Sequence, residues 1–302
     1  MIVNQAPRPI SNGFMKKYPS VKMSFWRGDA REIITKLTVE QRANNLVVDV
    51  VEGTGVGEQA IEGGLAQAFQ SPASKEYPAN YRDPQNLWVA TRFSYYSAAY
   101  NTKLVQPGTQ PKSYEDLLDP KWKGKLSWSL SATGAPLFLT NLRMAWGEER
   151  AIAYFRRLAG QNVVNFGAGS TRTLVDRVMA GEYPIALNIF AHHPLISAAQ
   201  GAPVASQLMD PVPSTTSTMI IPKGVKRPHA AMLLVDYILS AEGQEVLAKA
   251  EYFTARPDVP PLPSLASVVP KTASVPENFV SPENFLKYSE SSDKMQQELF
   301  RN

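Results

Sequence analysis

Short apolar runs and amphipathic helical stretches alternate along most of this chain, and that alternation restricts its fold more than any other feature. Val21, Met23 and Phe25 alternate with polar neighbours, which predicts a strand. Asp29 with Glu32 three residues later predicts a capping box for a helix carrying Ile33, Ile34 and Leu37. Residues 46–51 form a mostly apolar run, the pattern of a strand buried on both faces, and a Gly-rich turn from Gly53 leads into a second short helix. Before all of these, Ile10 and Phe14 sit four apart ahead of Pro19, as in a short helix stopped by proline.

The same grammar continues. Residues 86–93 and 95–100 predict two strands close enough to form one continuous crossing element, and Ser113 with Asp116 caps a short helix. Residues 126–130 predict a strand. Pro136 then sits at a helix start, with Leu137, Phe138, Leu142 and Trp146 at helical spacing and Gly147 as the stop. Residues 151–158 are amphipathic and 162–166 strand-like, Ser170 is placed to cap a helix bearing Leu174, Val175, Val178 and Met179, and 184–190 return as a strand. Residues 216–221 predict a strand, 230–239 and 244–250 helices, and a Pro- and Ser-rich stretch beyond Asp258 leads to a last helix over 285–300. The class is α/β.

With 302 residues, 44% hydrophobic and 19% charged, the chain has apolar material for one large or two medium domains. The net charge of +4 comes from Lys and Arg scattered without interleaved stacking aromatics, which argues against a nucleic-acid partner. The absence of cysteine removes disulfides, thiolate metal sites and cysteine nucleophiles together. No run approaches the roughly 20 apolar residues of a membrane helix, so no direct membrane insertion is expected. Residues 1–10 lack the charged start, apolar middle and small-residue cleavage site of a secretory leader. Either such a leader was removed or the protein is cytosolic.

Three stretches carry a family resemblance: YEDLLDPKWKGK over 114–125, VMAGEYPIAL over 178–187 and HAAMLLVDYILSAEGQEV over 229–246. In this order they resemble type 2 periplasmic solute-binding proteins of ABC importers, in the branch that holds ferric-ion, thiamine, polyamine and phosphonate binders. The resemblance covers nearly the whole chain. It implies a two-lobed α/β fold, each lobe a mixed sheet flanked by helices, with the ligand cleft between lobes. It also implies two crossings, placing residues 1–93 and 220–302 in lobe one, 94–219 in lobe two, and a hinge near 90–98 and 212–221. A periplasmic or extracytoplasmic location, a small-molecule ligand, a membrane permease as partner and no cofactor follow from the same resemblance. The family opens with a full strand and ligand-facing loop before its first helix. About ten residues precede Phe14 here, so part of that strand is expected to be missing from this sequence.

Candidate ligand-binding residues fall in strand-to-helix turns, where unpaired backbone amides and the helix dipole favour anions. Ser131, Thr133 and Gly134 precede the helix at Pro136, and Gly169, Ser170 and Thr171 repeat the arrangement; ordinary capping is the competing reading. Glu52, Gly53, Thr54 and Gly55 form a matching turn, with Thr54 as its ligand candidate. Gly53, Gly55 and Gly57 do not make a dinucleotide fingerprint, because that motif needs its third glycine three residues after the second and Glu58 occupies the place. Arg27 and Arg92 could hold a carboxylate or phosphate in two-pronged fashion or be solvated surface residues. Ser94, Tyr95 and Tyr96 follow Arg92, and strand alternation lets one tyrosine, not both, face a ligand. The resemblance places residues 188–193 where ferric-binding members carry adjacent tyrosines. Phe190, His192 and His193 stand there instead, so His192 and His193 would be metal ligands only if the ferric alternative holds.

The leading expectation is therefore capture of a small anionic or zwitterionic organic solute. The alternative is ferric ion held with a synergistic anion. A hydrolase or transferase is disfavoured by three histidines in all and by the absence of G-x-S-x-G, P-loop and H-E-x-x-H patterns. A DNA-binding regulator is disfavoured because no helix-turn-helix segment precedes the lobes.

Overall fold

The computed structural model describes residues 7–300 except 29, 131, 132, 168 and the side chain of Arg31. In chain order the elements are α1 (Pro7–Lys17), α2 (Ala30–Arg42), β1 (Val51–Thr54), α3 (Val56–Glu62), β2 (Ala66–Gln67) and β3 (Val89–Asn101). Then come β4 (Leu126–Trp128), α4 (Ala135–Trp146), α5 (Glu148–Ala159), β5 (Val164–Asn165), α6 (Thr171–Ala180), β6 (Ile185–Phe190), α7 (His192–Ala199) and β7 (Val204–Gln207). The chain closes with β8 (Val212–Pro222), α8 (Pro228–Leu239), α9 (Ala241–Lys249), β9 (Phe253–Thr254), α10 (Pro270–Ala273), β10 (Glu277–Phe279) and α11 (Pro282–Leu299). No described helix is long and apolar enough to cross a membrane.

The chain divides into two compact units, Met1–Phe93 with Thr216–Pro263 and Ser94–Thr215 with Ser264–Asn302. It passes from the first to the second inside β3 and returns inside β8. A third passage follows Pro263, and this corrects the expectation that all of residues 220–302 lie with residues 1–93. The cause is packing. The Trp128 ring of β4 lies 4.5 Å from Phe300 and its indole N–H donates to Asn165, whose amide donates to the Phe300 carbonyl. Arg143 of α4 donates to both Ser291 and Ser292 of α11 and stacks over Tyr288 at 4.7 Å. A Pro- and Ser-rich linker reads the same whichever domain the helix beyond it joins.

In the first unit, β1 runs antiparallel to β8 with Val51 opposite Ile220 and Thr54 opposite Ser217, and β9 pairs antiparallel with β3 at Arg92 and Phe93. Phe14 of α1, 1% exposed, anchors that helix against Tyr237 of α8 at 5.6 Å. Two strand predictions are corrected here. Residues 21–28 form no strand, and Phe25 and Trp26 are exposed; alternation alone makes no strand without a neighbouring backbone to bond. The run 46–51 enters the sheet only at Val51, with Val47 exposed. The predicted capping residue Asp29 lies outside the described residues.

In the second unit, β4 lies between β5 and β6 and is parallel to both, while β6 and β7 run antiparallel to β3. Trp128, Phe138, Leu142, Phe155 and Leu158, each no more than 2% exposed, fill the core between this sheet and α4 and α5. The two strands predicted over 86–93 and 95–100 form the single strand β3, with no break at Ser94.

Candidate functional site

In open α/β sheets, ligands meet the carboxyl ends of the parallel strands. In the second unit those are the ends of β5, β4 and β6, each of which runs into a helix N-terminus: α6, α4 and α7. The exit loops are stapled to one another. Ser129 donates its hydroxyl proton to the Gly169 carbonyl, and the Leu130 amide donates to the Gly167 carbonyl at 2.7 Å. The Asn188 amide of β6 donates to the carbonyls of both Thr133 and Gly134, each at 2.9 Å. A rim of three strand-to-helix turns results, held mainly by bonds to backbone carbonyls.

Gly134 makes the middle turn possible. It is the N-cap of α4, without a side-chain cap, and a Cβ there would lie 2.1 Å from the Ser129 carbonyl oxygen. Thr133 beside it is half-buried. Ser131 lies outside the described residues. On the next turn the Ser170 hydroxyl accepts from the Thr173 amide at 3.2 Å and sits 2.9 Å from the Thr173 hydroxyl, so it is engaged as the N-cap of α6. Thr171 is 2% exposed.

The third turn carries the aromatic and basic groups. Phe190 is half-buried, its ring 5.0 Å from Tyr96 and 5.3 Å from His193, and the His192 and His193 rings are 4.5 Å apart. Burial, with His192 and Arg172 close by, holds the His193 imidazole well below the ordinary histidine range. Arg172 of α6 donates to Ser197 of α7 at 3.0 Å, which fastens α6 to α7, and to Asp176 of its own helix at 2.7 Å. Tyr95 and Tyr96 alternate as a pleated strand requires: Tyr95 is half-buried and Tyr96 fully buried, with Ser94 also buried. Among the described residues no three histidine or acidic side chains gather as a metal site would need.

The first unit brings the two predicted arginines into one neighbourhood. Arg92 donates to Glu52 and lies over the Tyr252 ring at 4.8 Å, and Thr91 donates to the same Glu52 oxygen at 2.7 Å. Burial pushes the Tyr252 phenol up, while Arg92 and, more weakly, Arg27 pull it down. Arg27 itself is exposed. Thr54 ends β1 with its hydroxyl 2.7 Å from that of Ser217. Sequence reasoning did not single out Ser129, Arg172 or Tyr252, and took Asn188 as part of a strand and as the first residue of the 188–193 stretch, without a role of its own. An amide inside an apolar strand is a readable signal, since a buried amide must find partners.

Residues 45–274 match the family model described as bacterial extracellular solute-binding protein. An uncharacterized protein of Haemophilus influenzae is 31% identical over 257 residues, 79% of this chain and 71% of its own length. A putative 2-aminoethylphosphonate-binding periplasmic protein of Salmonella typhi is 28% identical over 173 residues, 56% of this chain and 49% of that protein, so the match spans about half of it. Among solved structures, the periplasmic binding protein AfuA of Actinobacillus pleuropneumoniae with fructose-6-phosphate bound matches at TM-score 0.82 and 24% identity, over 99% of this chain and 96% of that one, a likeness of fold. The chain belongs to the bacterial extracellular solute-binding protein family: it has the periplasmic binding protein fold and is a non-enzymatic, small-solute-binding component of ABC import, related to phosphonate and ferric-ion binders.

Proposed function

We propose that the solute is a small organic anion, zwitterions included, bearing a phosphoryl or phosphonyl group. The observation that carries this reading is the stapled rim of the second unit, which sets the amino ends of α4, α6 and α7 beyond neighbouring parallel strands. Amides and dipoles so placed favour an oxyanion. Within the first unit Arg27 and Arg92 lie around Tyr252 as a positive cluster, and guanidinium suits phosphate geometry. One relative's name specifies an aminophosphonate and one fold relative holds a sugar phosphate. Thr54, Thr133, Gly134, Tyr95, Phe190 and His192 complete the proposed ligand set. Residues 90–98 and 212–221, which contain two of the passages between units, are the proposed hinge, with delivery to a membrane permease outside the cytoplasm.

A ferric ion with a synergistic anion is the second reading, favoured by the adjacent imidazoles of His192 and His193. Thermal unfolding in the presence of 2-aminoethylphosphonate, fructose-6-phosphate, inorganic phosphate, simple carboxylates, or ferric ion with and without carbonate separates the two. A ligand that binds only the folded state adds about 2.7 kcal/mol at a hundred times its Kd. Stabilisation by a phosphorus oxyanion is the expected result. Stabilisation by ferric ion alone would transfer the site to the second reading, and stabilisation by carboxylates alone would remove the phosphoryl assignment.

A further inference from the structure

Asn188 is a buried amide in the middle of β6, 4% exposed, with its backbone in the left-handed region at φ 51°. The pairing of β6 with β3 explains the backbone. Ser97 faces Ile189 and Ala99 faces Ala186, so Ala98 alone opposes both Leu187 and Asn188. This is a β-bulge, and it falls two residues before Phe190 and four before His192. Bulges re-aim the side chains that follow them, and asparagine tolerates left-handed backbone better than other non-glycine residues. The side chain acts in the opposite direction along the rim, gripping the Thr133 and Gly134 carbonyls at the start of α4.

We infer that Asn188 is the positioning residue of the solute site: its backbone aims the Phe190–His193 turn, and its amide locks the Thr133–Gly134 turn to it. It acts on the solute through these two turns and not by contact. The inference rests on the reading of the rim as the solute site, so its test has an arm that needs no solute.

Asn188→Gly keeps the left-handed backbone and deletes the amide. Asn188→Asp keeps size and backbone preference but turns an acceptor toward two carbonyls. Residue-resolved amide hydrogen exchange on the full chain, without ligand, is the first arm. The Ala135 amide, which bonds the Ser129 carbonyl at 2.8 Å, should lose more protection in Asn188→Gly than the β6 amides do, with a lower melting temperature because two carbonyls lose their donor. Titration with 2-aminoethylphosphonate, fructose-6-phosphate and inorganic phosphate is the second arm. Affinity for whichever probe binds wild type should fall about tenfold, the low end of the loss seen in metal sites when the partner behind a ligand is removed, and further in Asn188→Asp. Unchanged exchange at Ala135 overturns the inference, because the amide would then only fill the bulge. Lost affinity with unchanged exchange also overturns it and makes Asn188 a direct contact. If no probe binds wild type, the solute reading fails, and the exchange arm still decides whether Asn188 locks the turn.

Discussion

The two units offer polar surface by different means. In the second, the rim lies at the ends of parallel strands and is made largely of backbone: helix N-termini, carbonyls gripped by Ser129 and Asn188, and a glycine whose Cβ has no room. In the first, Arg92 and Glu52 stand on β3 and β1 and act through charged side chains, with Tyr252 and Arg27 nearby. A backbone site is rigid and recognises shape, since moving one carbonyl moves the turn. A side-chain site is adaptable and recognises charge, since guanidinium and carboxylate carry free energy across water. Substitutions in the second unit should therefore cost folding first, and those in the first should shift affinity with little loss of fold.

Gly134→Ala tests the rigid half with the largest expected effect. The added Cβ would sit 2.1 Å from the Ser129 carbonyl oxygen and 2.8 Å from its carbon, and neither is the free end of a side chain. The turn must open or α4 must shift. We expect a loss of about 3 kcal/mol in denaturant unfolding, at the upper end of overpacking costs. A variant as stable as wild type would show that the turn adapts, and the contrast between the units would lapse.

The imidazoles give the second unit a sensitivity to acid that the first unit's cluster of Arg27, Glu52, Arg92 and Tyr252 has no histidine to supply. The folded-state pKa of His193 is depressed by burial, so the unfolded chain binds a proton first as pH falls. The stability tied to neutral His193 is complete above the ordinary histidine pKa of about 6.5 and is lost below it, at up to about 1.4 kcal/mol per pH unit. Unfolding measured at pH 7 and pH 5.5 should show a steeper loss for wild type than for His193→Gln. Equal slopes would mean that His193 meets the same solvent folded and unfolded.

How far the sequence reached depends on the range of the interaction involved. Ser170 as a cap, Pro136 at a helix start and Gly147 at its end are local, and they sit as the spacing predicts. The family stretches carried the fold, because those motifs encode packing already solved elsewhere. Distance in sequence defeated the rest. Glu52 and Arg92 are forty residues apart and meet only through the sheet, and α11 is assigned to the second unit by Arg143 and Phe300 contacts that no periodicity contains. The 21–25 alternation predicted a strand because a pattern records which residues could pair, not whether a partner strand is there. Ser170 shows a subtler gap: its position was legible, but whether its hydroxyl serves the helix or a ligand depends on Thr173 geometry.

The smallest effect separates charge from shape most cleanly. Glu52 is half-buried and accepts from Thr91 and Arg92 through one oxygen. Glu52→Gln keeps both acceptor contacts and removes the negative charge. A partly exposed pair of this kind is worth at most about 1 kcal/mol, so the fold should hardly change. Arg92 would then face a solute without its counterion, and affinity for a purely anionic probe such as fructose-6-phosphate should rise by up to about fivefold at low salt. The gain should shrink as ionic strength rises and the Debye length falls to about 8 Å at physiological salt. An aminophosphonate probe sharpens the outcome, because its ammonium group would lose a carboxylate partner as its phosphonate gains. A rise for the sugar phosphate with a fall for the aminophosphonate would assign Glu52 to the solute's cation and make the first unit the part of the protein that selects zwitterions. A rise for both would confine Glu52 to tempering Arg92. No change in either would show that the Arg92 cluster only braces β3 against β1 and β9, and solute recognition would then rest on the backbone rim alone.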